Sequence, residues 1–94
     1  MRDDEFEWDD RKAARNLREH GVAFDTARAA FDDPFQRWLD DDRRDYGEDR
    51  HVMLGLVSDL LLCAAYTYRS DRIRIISARE AEPYEHRLYH EAQR

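Results

Sequence analysis

The sequence predicts a small α+β domain: an antiparallel sheet in the order β-α-α-β-β-β-β-α, with two N-terminal helices and one C-terminal helix. Three observations carry that expectation. "HVMLGLV" (51–57), "LLLCAAYTYR" (60–69) and "RIRIISAR" (72–79) are apolar, strand-like runs separated by Ser58-Asp59 and Ser70-Asp71, which suit tight turns in a meander. "RKAARNLREHG" (11–21) is built from good helix formers and stops at a glycine. Glu82-Pro83 opens a last helix with proline at its first position, where the missing N–H is not needed.

The remaining elements follow in order. "EFEW" (5–8) alternates polar and aromatic residues as a short half-buried strand does, and Asp9 or Asp10 can cap the first helix. Ala13, Leu17 and His20 are expected along that helix's inner face. Val22 and Phe24 lead to a second short helix, capped by Asp25, with Ala27, Ala30 and Phe31 inward; Asp33-Pro34 ends it. "FQRWL" (35–39) is the second strand, and "DDDRRDYGED" (40–49) is a polar, charge-dense loop with room to move. In the final helix Tyr84, Leu88 and Ala92 share a stripe expected to pack on the sheet.

Ninety-four residues suffice for one domain, 1–94, with a modest core. Eleven aromatic residues are too many for a disordered chain. The longest apolar run, Leu60 to Tyr66, is too short to span a bilayer, and the acidic N-terminus lacks a signal-peptide apolar core. The single cysteine, Cys63, has no partner within the chain, so a reduced, cytoplasmic setting is expected.

The net charge of −6 is unevenly placed. Residues 1–50 hold ten Lys/Arg against sixteen Asp/Glu, whereas residues 51–94 are balanced at six each. Arg69, Arg72, Arg74 and Arg79, against Asp71, make the segment 69–79 locally basic. Charge acts over roughly 8–10 Å in physiological salt, so an acidic protein with such a patch can still hold a phosphate backbone.

Strict alternation along 72–79 puts Ile73, Ile75, Ser77 and Arg79 on one face. Arg79 would then stand at a strand end on an apolar face, where it needs an anionic partner. That partner is either a carboxylate such as Glu48 or Glu82, or a phosphate, with Tyr84 or Tyr89 close by. His20 is either a hydrogen-bonded core residue or an acid–base group, a role that suits imidazole near neutral pH. Trp8 and Trp38 are read as core, with base stacking as the alternative. No metal site is expected: His86 and His90 stand at i, i+4, but no third ligand has a recognisable spacing. Cys63, among leucines and alanines, reads as an inert packing thiol. The three glycines are isolated, which excludes a phosphate-cradling glycine loop.

Several stretches together resemble the BrnT toxins of bacterial type II toxin–antitoxin systems. "FEWDDRKAARNLREHGVAF" is similar to the family's opening pattern at Phe6, Trp8, Asp9, Lys12, Asn16, His20, Gly21, Val22 and Phe24. "AAFDDP" resembles its Val-Phe-x-Asp-Pro, and "GEDRHVMLG" matches at Gly47, Glu48, Arg50 and Gly55. "YTYRSDRIRIISAR" and "YEHRLYHE" resemble its strand pair and closing helix. The resemblance runs from about residue 5 to 91.

It implies a RelE-like, metal-independent ribonuclease without cofactor, which inhibits translation. A ribose 2′-hydroxyl would attack the adjacent phosphate, a reaction that needs a base, an acid and cationic stabilisation. Arg79 and Arg69 are the implied charge stabilisers, and Glu48, His20 or Tyr89 the proton-transfer groups. Lys12, Arg50, Arg72 and Arg74 are the expected RNA contacts. The implied partner is a BrnA-like ribbon-helix-helix antitoxin in a hetero-oligomer, through which alone DNA is bound, with no membrane involved. Two departures bear on activity: Glu19 replaces a family lysine, and Glu80 and Glu82 follow "ISAR" where the family is basic. Each puts negative charge where cations carry RNA affinity. The alternatives are a catalytically weak homologue acting as antitoxin-binding co-repressor, and a stand-alone ligand-binding or structural domain.

Overall fold

The structure is a computed structural model, and it describes residues 1–39, 44–45 and 48–92. In chain order the elements are β1 (Phe6–Glu7), α1 (Asp10–His20), α2 (Phe24–Ala30), β2 (Arg37–Leu39), β3 (Arg44–Asp45), β4 (Glu48–Asp49), β5 (His51–Val57), β6 (Leu60–Arg69), β7 (Arg72–Glu80) and α3 (Pro83–Glu91). A five-stranded sheet runs β1-β7-β6-β5-β2, with a separate two-stranded ribbon β3-β4. The expected meander is present as β5, β6 and β7. Its turns place Ser58, Ser70 and Asp71 at positive φ (54°, 51° and 67°), as tight hairpins demand.

The sheet is mixed, not antiparallel throughout. β1 lies parallel to β7, with Phe6 opposite Ile73 and Glu7 opposite Arg74. Alternation in "EFEW" marks a strand, but it holds no information about which neighbour the strand meets or in what direction. Part of "DDDRRDYGED" also differs from the expected loop: Arg44–Asp45 pairs with Glu48–Asp49, while 40–43 and 46–47 lie outside the described residues.

Two cores flank the sheet. On one face α1 and α2 cover Phe6, Trp8, Phe24, Met53, Leu62, Tyr66, Ile75 and Ala78. On the other, α3 lays Tyr89 and Leu88 over Leu54, Leu61 and Cys63. α2 comes so close to β5 that a Cβ on Gly55 would stand 2.5 Å from the Ala30 carbonyl oxygen. Glycine at 55 is what allows that approach.

A β-bulge between Ala65 and Tyr66 of β6 and Ser77 and Ile75 of β7 leaves Ile76 without an opposite residue. The extra residue shifts the alternation by one. Ile75 and Ala78 therefore share the α1/α2 core, and Arg79 faces α3, contrary to the face expected from strict alternation.

Helix faces also differ from expectation. Asp9 caps α1 by accepting from the Arg11 and Lys12 amides at 2.8 and 3.2 Å, and Gly21 closes it at φ 70°. The inward residues are Ala13 and Asn16; Leu17 and His20 are exposed. α2 is preceded by Ala23, and Asp25 lies within its first turn without capping it. In α3 the inward residues are Glu85, Leu88 and Tyr89, whereas Tyr84 and Ala92 point outward. In α1 and α3 a buried polar residue, Asn16 or Glu85, takes the inward position, whereas α2 buries Phe24, Ala27 and Ala30 with Phe31 packed beside them, in line with expectation.

Candidate active site

Asn16 shows how such a bond works. Its side-chain amide donates to the Ala78 carbonyl at 2.8 Å and to the Val22 carbonyl at 2.9 Å, and its oxygen accepts from the Ala78 N–H at 3.1 Å. Beyond the two residues paired with β1, Asn16 thus stands in for a neighbouring strand. It also draws α1 against the bulge of β7. Between them lies a recess of about 230 Å³ lined by Lys12, Arg15, Glu19, His20 and Ser77, with Asn16 and Ile76 behind. Among the described residues, the side chains of Lys12, Arg15, Glu19 and His20 make no ion pair or hydrogen bond. Two cations, an imidazole, a carboxylate and a hydroxyl therefore converge there with their valences open.

The arginines of β7 are differently placed. Arg72 donates to the Asp3 carbonyl at 2.6 Å, and Arg74 pairs with Glu7 at 2.9 Å. Arg28 pairs with the Asp3 carboxylate and lies over the Phe6 ring. Amides of Phe6 and Glu5, then Arg28, hold the Asp3 carboxyl down at about 2. The Arg72 and Arg74 contacts bind the N-terminal segment to β7, and those of Arg28 bind it to α2.

Arg79 makes a two-pronged pair with Glu85, at 2.7 and 3.1 Å, and Glu85 is only 2% exposed. The partner is thus neither Glu48 nor Glu82. Burial alone would raise the Glu85 pKa, but Arg79, the Glu82 amide at 2.8 Å and the Cys63 thiol hold it below the ordinary carboxylate value. The same pair pushes the Arg79 pKa upward. Burial drives Cys63 up to about 12, consistent with an unreactive packing thiol. Tyr89 is buried and donates its hydroxyl to Asp33 at 2.5 Å. Asp33 also accepts from the Leu56 and Phe35 amides, each at 2.8 Å. Burial opposes ionisation of Asp33, yet Tyr89 and the two amides prevail and keep its pKa low.

A family model described as "Ribonuclease toxin, BrnT, of type II toxin-antitoxin system" matches residues 8–85. The chain belongs to this family. No curated protein matches it. The span of the BrnT match covers α1, α2, β2 to β7 and the start of α3, and so includes the whole recess.

Of the site residues expected from sequence, Lys12 and His20 are brought together in that recess. Arg69 is exposed at the end of β6, paired across the turn with Arg72. Arg72, Arg74 and Arg79 are drawn into the contacts above, and Tyr89 into its bond with Asp33. Arg50 is half-buried between β4 and β5; the side chain of Glu48 lies outside the described residues. Trp8 is core, but Trp38 is 68% exposed. The His86 and His90 rings stack, and no group of three possible metal ligands occurs among the described residues. Among those residues no helix is long and apolar enough to cross a membrane.

Arg15 and Glu85 carry no expectation from sequence, and Asp33 only that of ending the second helix. Asp33 had a signal in "FDDP", where an aspartate precedes proline after a helix. Glu85 had one too: it stands three residues after a helix-starting Glu82, the spacing of a capping box.

Proposed function

We propose that this BrnT-family chain is a RelE-like endoribonuclease that cleaves RNA without a metal and thereby inhibits translation. The observation that supports this reading is the α1/β7 recess, where uncommitted Lys12 and Arg15 stand with His20, Glu19 and Ser77. In this reading Lys12 and Arg15 hold the scissile phosphate. A base, His20 or Glu19, takes the proton of the ribose 2′-hydroxyl as its oxygen bonds to phosphorus. The P–O5′ bond breaks, and the other group protonates the leaving oxygen, leaving a 2′,3′-cyclic phosphate and a 5′-hydroxyl. Exposed Arg69 extends the cationic path, while Arg79 and Tyr89 support the scaffold. Incubating the chain with a synthetic single-stranded RNA in EDTA tests this. His20→Ala should lower the cleavage rate by about 10²–10⁴ with an unchanged circular dichroism spectrum, since His20 is exposed. Full activity in that variant would remove the recess as the site.

The expected partner is a BrnA-like ribbon-helix-helix antitoxin in a hetero-oligomer, with DNA contacted through the antitoxin. Its encounter with this acidic chain should slow as salt rises. A second reading, a weakly active homologue retained as co-repressor, is favoured by Glu19, which puts a carboxylate inside the recess. Glu19→Lys should then strengthen RNA binding and steepen its salt dependence by about one phosphate contact. An unchanged binding isotherm would remove that reading.

A further inference from the structure

The β2 edge of the sheet bears the two most exposed large apolar side chains of the described residues, Trp38 at 68% and Phe35 at 60%. β2 pairs with β5 on one side, and among the described residues no strand lies on its other side. Natural sheets usually protect such an edge with lysine, proline or a covering element, because its free N–H and C=O groups template another strand. Here Arg37 turns its guanidinium to the Leu88 carbonyl of α3 at 3.4 Å, and the edge shows aromatics, the residue type that anchors protein interfaces. The Trp38 indole N–H is already bonded to the Gln36 side chain at 3.0 Å, so the ring offers mainly an apolar surface.

We infer that β2 is the docking edge for an extended segment of the antitoxin, which adds to the sheet as a sixth strand and covers Trp38 and Phe35. Strand addition supplies main-chain hydrogen bonds, and alternate side chains of the added segment meet the aromatics. Charge decides the occupant. The sequence is acidic on both sides of β2, with Asp32 before it and Asp40, Asp41 and Asp42 after it, against Arg37 within the strand. A second copy would bring the same acidic flanks and the same net charge of −6, which repel, whereas a basic segment is attracted. A segment with apolar residues inward and Lys or Arg at its ends matches both features. This inference rests on the toxin–antitoxin reading for the existence of the partner. It is independent of the recess, which lies at the other edge of the sheet.

The test uses the full-length chain, alone and with the antitoxin encoded beside its gene. Amide hydrogen exchange at residues 37–39 of the wild-type chain should slow about tenfold or more in the complex, a result that needs no variant to fold. Trp38→Lys should weaken the complex about 100-fold, as expected for an interface anchor, while RNA cleavage by the free chain stays unchanged. Unchanged exchange at 37–39, or an unchanged Kd for Trp38→Lys, overturns the inference while leaving the toxin–antitoxin reading in place. A homodimer of the chain alone that Trp38→Lys dissociates assigns the edge to a second copy and also overturns it. Failure of the wild-type chain to bind the antitoxin at all removes the toxin–antitoxin reading together with this inference.

Discussion

The two edges of the sheet are built on opposite plans. At the β7 edge a nine-residue strand is closed by β1 over two residues and then by the Asn16 side chain, with every polar atom of that amide engaged. At the β2 edge a three-residue strand ends the sheet and shows aromatic side chains to solvent. The β7 edge is where α1, the N-terminal strand and the Glu85 pair are fastened. An edge sealed by polar bonds can hold a recess in shape beside it, whereas the open edge contributes exposed aromatic surface and little fastening. Stability should be sensitive to substitution at the first and indifferent at the second.

The largest effect should come from Asn16→Leu. It would leave the Ala78 N–H and two buried carbonyls unpaired, at about 1–3 kcal/mol for each unsatisfied group. A lowered urea midpoint at unchanged slope would register the loss. The recess should lose its shape with it, so RNA binding should fall in parallel. If Asn16→Leu is as stable as wild type, the sealed-edge description of β7 fails.

Next comes Arg79→Ala on the same strand, which would leave Glu85 buried without its countercharge. Removing one partner of such a pair typically costs about 3–5 kcal/mol, toward the low end here because Arg79 is partly exposed. The pair also sets an acid limit. Glu85 and Asp33 have folded-state pKa values below their ordinary 4.5 and 3.8, so their contribution is complete above those values. It is lost as pH falls from there through the lowered folded values. Acid titration followed by tryptophan fluorescence should show unfolding below about pH 4 for wild type. A wild-type chain that keeps its stability down to pH 2 would show that neither carboxylate contributes.

The smallest effect belongs to the other edge. Trp38→Ser removes a side chain that is mostly in solvent, so stability should change by no more than about 0.5 kcal/mol. A larger loss in a thermal melt would mean that β2 is itself part of the sheet's support, and the contrast between the edges would weaken.

What could be read from the chain was local. The two turns, the β5–β6–β7 meander, the Asp9 cap, the Gly21 stop and the Pro83 start depend on residues a few positions apart, and each is present. The family motifs around Lys12, His20 and Arg50 also placed the chain, because their order along the sequence survives without any knowledge of contacts. The tertiary structure decided what depends on residues brought together from far apart. Ile76 at the bulge reverses the face of Arg79, and a bulge is a property of two strands rather than one. Glu85 becomes the partner of Arg79 only when α3 is rotated to bury it beside Cys63. The recess joins Lys12 and His20 to Ser77 because Asn16 bonds to Ala78, sixty-two positions away. Parallel pairing of β1 and exposure of Trp38 at an open edge follow from strand order. Periodicity reports which residues prefer burial, but only the packed chain decides which surfaces meet.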